Sequence, residues 1–230
     1  NLSFDQFDQG TFPAHDLLWS LVDKGFALLF EDLRSAERWL GHKVVVSSLG
    51  GVTKLRPDRS VKHILIMDLR ASEVNRASAV QERQVLPRFI DHARDIALLS
   101  EKSGDLGVLI LDFKDAFMSL PLHPEEMGYN ASIVPEGLNR TREALFGTEV
   151  RRGKILLWRV LGFGGHSNPL SYSRAASFAA RSAQSLLGTS SATHPSLATG
   201  RLQLYVDDPT LTVAGDVAQQ MASIDLVMLW

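Results

Sequence analysis

The chain has 230 residues, of which 45% are hydrophobic, and its formal net charge is −2 at pH 7. This length and composition suffice for one sizeable core, and the absence of cysteine excludes disulfides and thiolate zinc sites. No apolar run approaches the roughly 18 residues of a membrane span, and no signal peptide leads the sequence. We therefore expect an intracellular protein, of the cytoplasm or nucleus, with no membrane partner.

Charge is distributed unevenly along the sequence. Residues 1–33 are acidic, whereas 34–76 and a second stretch at 140–181 are rich in arginine and lysine. A net charge near zero argues against nucleic-acid binding, but basic blocks of this kind favour phosphate contact. Ordinary solvated faces are the alternative interpretation.

The spacing of apolar residues predicts the secondary structure. Helical spacing predicts two helical segments within the first fifty residues, the second running from Leu28 to Leu40. Further strands are predicted at 44–52, 61–69, 130–134 and 155–160, and further helices at 85–99, after Asn168 and from Val217. The packing stripe predicted for the helix after Asn168 consists of Tyr172, Ala176, Ala179, Ala183 and Leu186.

A carboxylate ends the most continuous apolar run. Residues 107–111 are apolar and stop at Asp112, which predicts a central buried strand with this acid at its end. Asp115 lies three residues further on. It is as well placed to cap the helical turn that follows as to take part in a site.

Two further acids are predicted at the turn of a β-hairpin. Leu202, Leu204 and Val206 alternate with polar residues, and the alternation resumes at Leu211 after Asp208-Pro209-Thr210. Short acids are common in tight turns, so this pair alone is a weak signal for a metal.

Together the two acidic segments resemble the motifs of reverse transcriptases of retroelements. In that family an aspartate closely followed by an aromatic residue precedes a later Tyr-x-Asp-Asp. The first motif runs here from Asp112 to Phe117 and the second from Tyr205 to Asp208. The likeness covers roughly residues 41–215, with the fingers segment at 54–75 and the glycine-containing loop before the long palm helix at 161–169.

The resemblance implies an α+β fold, the fingers and palm of a right-hand polymerase, with the palm an antiparallel sheet backed by helices. It divides the chain into an N-terminal helical region at 1–50, fingers at 51–105, and a palm at 106–230 with a fingers insertion near 121–155. The thumb is absent from this sequence, so residues 1–230 alone are expected to extend primers poorly.

The resemblance also implies the chemistry. Asp112, Asp207 and Asp208 would hold two Mg²⁺ ions, or Mn²⁺, for transfer of a deoxynucleoside triphosphate to a primer 3′-hydroxyl on an RNA or DNA template. Phe117 would lie under the C2′ of the sugar. The other implied nucleotide-binding residues are Asp115, Ala116, Phe163, Gly164, Lys62 and Arg56, and the implied nucleic-acid contacts are Tyr205, Arg174 and Arg181.

Two positions depart from the family pattern, and with Pro209 they favour the first of two alternatives that stay open. Ile64 stands where relatives often carry an arginine, Gly162 stands where they usually carry proline, and Pro209 removes a ladder donor directly after the acids. One alternative is a catalytically inactive polymerase-like relic or scaffold. The other is an RNA-templated RNA polymerase of palm type, which would differ in the sugar that it accepts.

Overall fold

The computed structural model describes residues 14–56, 58–80, 82–101, 105–134, 155–187 and 198–229, which form a mixed α and β structure. The helices in these ranges are α1 (Ala14–Asp23), α2 (Leu33–Leu40), α3 (Val74–Ala77), α4 (Phe89–Ser100), α5 (Pro124–Met127), α6 (Asn168–Leu187) and α7 (Val217–Leu229). The strands are β1 (Ala27–Phe30), β2 (Val46–Leu55), β3 (Val61–Asp68), β4 (Leu106–Ile110), β5 (Ala131–Ile133), β6 (Ile155–Trp158), β7 (Thr199–Tyr205) and β8 (Asp208–Ala214). No helix in these ranges combines the length and apolarity that crossing a bilayer requires.

The chain divides into two compact units that interleave along the sequence. Unit 1 contains Asn1–Val80 and Phe117–Asn168, and unit 2 contains Gln81–Ala116 and Pro169–Trp230. The N-terminal helices and the strands predicted for the fingers belong to one unit.

Unit 1 is built on a five-stranded mixed sheet in the order β1-β6-β5-β2-β3, in which only β2 and β5 run parallel. In β3 the faces alternate, because Leu65 and Met67 are buried while Lys62 on the other face is exposed. All four residues of β6 are buried, as a short strand covered on both faces requires.

The second predicted helical segment is wrong at its start. Leu28 and Leu29 lie in β1, paired with Leu157 and Leu156 of β6, and the helix begins only at Leu33. Asp32 caps it, since its carboxylate accepts a hydrogen bond from the backbone N–H of Ser35 at 2.7 Å. Short apolar runs do not distinguish strand from helix, and here pairing with a distant strand decided the outcome.

Unit 2 is built on a three-stranded antiparallel sheet in the order β4-β8-β7. Leu211 and Val213 of β8 are fully buried on one face, with Leu109 of β4 and Leu202 of β7 beside them. Side chains of α6 and α7 cover this face, namely Leu187, Ile224 and Val227. On the other face α4 contributes Asp95, which accepts a hydrogen bond from Gln203 of β7.

Two predictions about unit 2 are corrected. Among the described residues β4 is an edge strand rather than a central buried one, and its outer row, Leu106, Val108 and Ile110, is exposed. In α6, Ala179 and Leu186 of the predicted stripe are exposed, because the buried line runs through Ala183 to Leu187 instead. The predicted strands 130–134 and 155–160 and helices 85–99 and 217 onward are confirmed as β5, β6, α4 and α7.

Candidate active site

The three predicted metal ligands lie on adjoining backbone segments of unit 2. Beyond the end of β4, the N–H of Leu111 donates to the carbonyl of Pro209 at 2.9 Å, and the N–H of Phe113 donates to the carbonyl of Asp207 at 3.2 Å. The sequence brings these segments together because β4 pairs along its whole length with β8, with Ile110 opposite Thr210. Asp112 is therefore held against the acidic hairpin from both sides.

Continuing this register places Asp112 directly opposite Asp208. The hydrogen-bonded neighbours on either side make the two acids a non-hydrogen-bonded pair, in which Cα atoms are typically about 4.5 Å apart and side chains share one face. Both side chains are exposed. Two facing carboxylates repel each other, which makes the position suited to a cation.

Asp207 lies in the hairpin turn, which is shifted from the predicted position. β7 ends at Tyr205 and β8 begins at Asp208, so the two-residue turn is Val206-Asp207, and Pro209 belongs to the strand. Val206 has a φ of 58°, whereas Asp207 keeps a negative φ, which is the pattern of a type II′ turn. A β-branched residue rarely adopts this conformation, so the backbone is strained at the acid pair.

Pro209 affects only one side of its strand. Its carbonyl accepts from Leu111, but proline has no N–H to return to the carbonyl of that residue. The regular ladder between β4 and β8 consequently ends at Ile110, two residues before the position where Asp112 faces Asp208. The turn pairing of Tyr205 with Asp208 is retained.

Tyr172 of α6 is a neighbour of the acids that the sequence indicated only as a packing residue. It is 5% exposed. Burial, and secondly the negative charge of Asp207, raise the pKa of its phenol to about 12. Near neutral pH the hydroxyl is therefore protonated and close enough to interact with the Asp207 carboxylate. The helical periodicity of Tyr172 could not show this, since it depends on where the distant hairpin ends.

The side chains are not gathered into a ready ligand set. Across the described ranges, no three histidine, aspartate or glutamate side chains converge closely enough to hold a metal ion. The residue types fit the predicted group, because Mg²⁺ prefers hard oxygen ligands and retains several waters. The backbone places two carboxylates opposite each other, with a third on the adjacent residue, and these are suitable donors for such an ion.

The predicted nucleotide-binding residues of unit 1 centre on the glycine-containing loop. The loop is fixed to the end of β3, since the N–H of Met67 donates to the carbonyl of Phe163 at 2.8 Å. The side chain of Asn75 forms two hydrogen bonds with the loop backbone: it donates to the carbonyl of Gly164 at 3.0 Å and accepts from the N–H of His166 at 2.8 Å. Sequence analysis did not single out Asn75, whose role depends on a contact distant in sequence.

Glycine is required at position 164 for two reasons. Its φ is 118°, and a Cβ there would lie 2.0 Å from the carbonyl oxygen of Met67. At Gly162 a Cβ would approach the flexible tip of Met67 at 2.9 Å and the ring of Trp158 at 3.2 Å. The carbonyl of Gly162 accepts a hydrogen bond from the buried Asn168 side chain at 2.7 Å, so this loop is anchored despite its glycine.

Phe117 and Phe163 are brought together within unit 1. Their ring centroids are 5.5 Å apart in an edge-to-face arrangement, and both rings are half-buried. Phe117 begins a 3₁₀ turn that follows a left-handed residue, Asp115, with a φ of 55°. Ala116 is buried. An aromatic pair beside a strand-anchored loop forms a wall against which a flat ring could pack.

The predicted triphosphate-binding residues lie at the exposed end of the β2–β3 hairpin. Lys54 and Lys62 are directly opposite each other and both are exposed. The backbone N–H of Arg56 donates to the carbonyl of Ser60 at 2.8 Å, which fixes Arg56 at the turn. Like charges placed opposite each other are unfavourable unless an anion lies nearby. Ile64, the departure from the family pattern, is half-buried on the same strand.

The predicted nucleic-acid contacts are all exposed in unit 2, but they are not equivalent. Tyr205 is 51% exposed. Arg174 forms a surface ion pair with Glu82 at 2.8 Å, whereas Arg181 is exposed farther along α6. Five basic residues predicted to contact phosphate, Arg140, Arg142, Arg151, Arg152 and Lys154, lie outside the described residues.

Neither the known protein-family models nor the curated proteins contain a match to this chain.

Proposed function

We propose that this chain comprises the fingers and palm of a reverse transcriptase, which copies an RNA or DNA template by adding deoxynucleotides to a primer. The observation that carries the proposal is the antiparallel register that sets Asp112 opposite Asp208, beside the strained turn at Asp207. Two facing acids and a strained turn both lower the stability of the fold. Such unfavourable features concentrate at functional sites.

In this proposal unit 2 supplies the metal ligands. Two Mg²⁺ ions would activate the primer 3′-hydroxyl and neutralise the leaving pyrophosphate. Asp112 and Asp207 are the proposed bridging ligands, with Asp208 supporting them. The protonated Tyr172 hydroxyl is suited to orient the Asp207 carboxylate, since its raised pKa keeps it a donor at working pH.

Unit 1 supplies the proposed nucleotide-binding residues. Phe117 and Phe163 would pack against the sugar and base, and the exposed backbone at Gly164 would lie beside the nucleotide. Lys62 and Arg56 would contact the triphosphate as exposed cations. Exclusion of a 2′-hydroxyl by Phe117 would favour deoxynucleotides.

An inactive polymerase-like relic or scaffold is the second candidate. It is favoured by the described side chains, which do not converge on a metal, and by the half-buried Ile64. Metal binding distinguishes the two functions, because a relic has no need of it. An RNA-templated RNA polymerase would bind the metal but prefer ribonucleotides.

The test combines Mn²⁺ binding with single-nucleotide addition at high protein concentration, using Asp207→Asn and, as matched control, the exposed Asp225→Asn of α7. We expect Asp207→Asn to weaken Mn²⁺ binding and to lower addition by about three orders of magnitude or more. Asp225→Asn should leave both unchanged. Wild-type protein that binds no Mn²⁺, or full addition by Asp207→Asn, would contradict the proposal.

A further inference from the structure

The solvent-exposed side of α2 in unit 1 contains basic residues that are separate from the candidate active site. Arg34 and Arg38 are exposed and lie one helical turn apart, and Lys43 follows just after the helix ends at Gly41. They line an open cleft of about 810 Å³ together with Asp32, Glu37, Gly41 and His42. The cleft therefore contains both signs of charge.

Both acids of the cleft are engaged in local hydrogen bonds. Asp32 caps α2 by accepting from the N–H of Ser35, and this bond, with that from the Ser35 hydroxyl, holds the pKa of Asp32 below its usual value. Glu37 accepts from the ammonium of Lys43 at 3.2 Å and from the N–H of Val44 at 3.4 Å. The acids thus fix the shape of the cleft.

The two arginines lie near enough to Asp32 for their charges to lower its pKa, although less than Ser35 does. Among the described residues neither Arg34 nor Arg38 forms an ion pair, although Arg76 and Arg88 elsewhere on the surface do. A guanidinium presents several donors in a planar fork that matches phosphate oxygens. Two such groups on one helix turn are well placed to contact neighbouring phosphates.

An aromatic ring flanks these cations. Trp39 is 54% exposed although it is large and apolar. Its indole packs against Phe30 of β1, with ring centroids 5.9 Å apart, which leaves the rest of the ring in water. Exposed aromatics among basic side chains are typical of proteins that bind single-stranded nucleic acid, where unpaired bases stack on them.

We infer that the α2 face, defined as Arg34, Arg38 and Trp39, binds single-stranded nucleic acid through its phosphates and one stacked base. A duplex has no unpaired base to offer, and an acidic peptide would gain nothing from the indole. The choice of partner rests on the proposed function, in which a single-stranded template precedes the site of synthesis.

The test measures fluorescence anisotropy of a labelled oligonucleotide of about 20 uridines, with no metal ion, primer or nucleotide present. Arg34→Ala with Arg38→Ala should lower affinity at least tenfold, and should reduce the slope of log affinity against log salt by about 1.4, or roughly 0.7 for each lost phosphate contact. Trp39→Ala should lower affinity about five- to a hundredfold with little change in slope, and Trp39→Phe should restore most of the loss.

The matched control is the double variant Arg76→Ala with Arg88→Ala, which removes the same charge from ion-paired arginines. It should retain the wild-type salt slope. Equal binding by wild type and the α2 variants, an equal loss in the control, or equal competition by poly-glutamate would overturn the inference. Circular dichroism of each variant establishes that α2 remains folded.

Failure here is separable from failure of the proposed function. If the α2 variants bind as wild type while Asp207→Asn abolishes nucleotide addition, only the inference about α2 is wrong. If nucleotide addition is insensitive to Asp207 while oligonucleotide binding depends on the α2 face, the proposed function is wrong and the binding surface remains.

Discussion

The glycine-containing loop of unit 1 and the acidic hairpin of unit 2 hold their candidate residues by different means. The loop is fixed by side-chain amides of Asn75 and Asn168 and by close backbone contact at Gly164. The hairpin is held to β4 by backbone hydrogen bonds, with Asp112 and Asp208 exposed and its turn strained at Val206. Substitutions in the loop should therefore alter stability first, and those in the hairpin should alter function first.

The largest expected effect on stability is at Gly164. Gly164→Ala places a Cβ 2.0 Å from the Met67 carbonyl oxygen, so the backbone of β3 or of the loop must move. We expect a loss of about 3 kcal/mol or more in free energy of unfolding, measured by urea denaturation.

Gly41→Ala is the matched control, because Gly41 also has a positive φ, 79°, but no atom within 4 Å of its added Cβ. It should cost only about 1–2 kcal/mol, the strain of the left-handed conformation. Equal losses at the two positions would show that backbone conformation alone, and not close approach to β3, explains the glycine in the loop.

The second effect concerns alkaline pH and Tyr172. Its folded pKa of about 12 lies above the usual 10.0, so its contribution to stability is complete below pH 10 and is lost as pH rises toward 12. The loss should reach no more than about 3 kcal/mol. Tyr172→Phe should abolish this part of the pH dependence, and the difference in phenolate absorbance between the two proteins should show a late-titrating group. A difference titration centred near the usual value would contradict the burial and charge argument.

The third effect is at the strained turn. Val206→Gly removes the left-handed strain of a β-branched residue, in the turn position where type II′ hairpins favour glycine. We expect a gain of about 0.5–1 kcal/mol in the free energy of unfolding, together with lower nucleotide addition because Asp207 is held less firmly. Val206→Ala retains the strain and should not stabilise. A loss of stability in the glycine variant would show that the Val206 side chain contributes more by packing than its conformation costs.

The sequence predicted best those elements whose apolar periodicity is determined locally. The β7–β8 hairpin, α4 and β6 follow directly from periodicity. The turn was predicted too late in the chain, since Asp208 and Pro209 belong to β8, where the missing N–H of the proline removes one hydrogen bond to the carbonyl of Leu111.

The remaining features depend on contacts that a single sequence does not contain. Whether 107–111 is a central or an edge strand depends on which strands pair with it, and within the described residues only β8 does. The motif resemblance identified Asp112, Asp207 and Asp208 as candidates, but not their cross-strand pairing. Tyr172 and Asn75 act on residues far away in the chain, so no local pattern could reveal them.

The smallest expected effect tests that cross-strand pairing itself. Asp112→Asn removes one of two facing charges, so without divalent metal it should raise the free energy of unfolding by about 0.2–1 kcal/mol at low salt. Screening should erase this gain at about 1 M salt. Adding Mg²⁺ should reverse the order, because a cation bound by the folded wild type stabilises it in proportion to the logarithm of metal concentration, and the variant has lost a ligand. Asp225→Asn, the control without a facing acid, should respond to neither. If Asp112→Asn destabilises unit 2 at low salt without metal, the two carboxylates do not repel each other and the register argument for the metal site fails; if only the Mg²⁺ response is missing, the acids face each other without binding the ion.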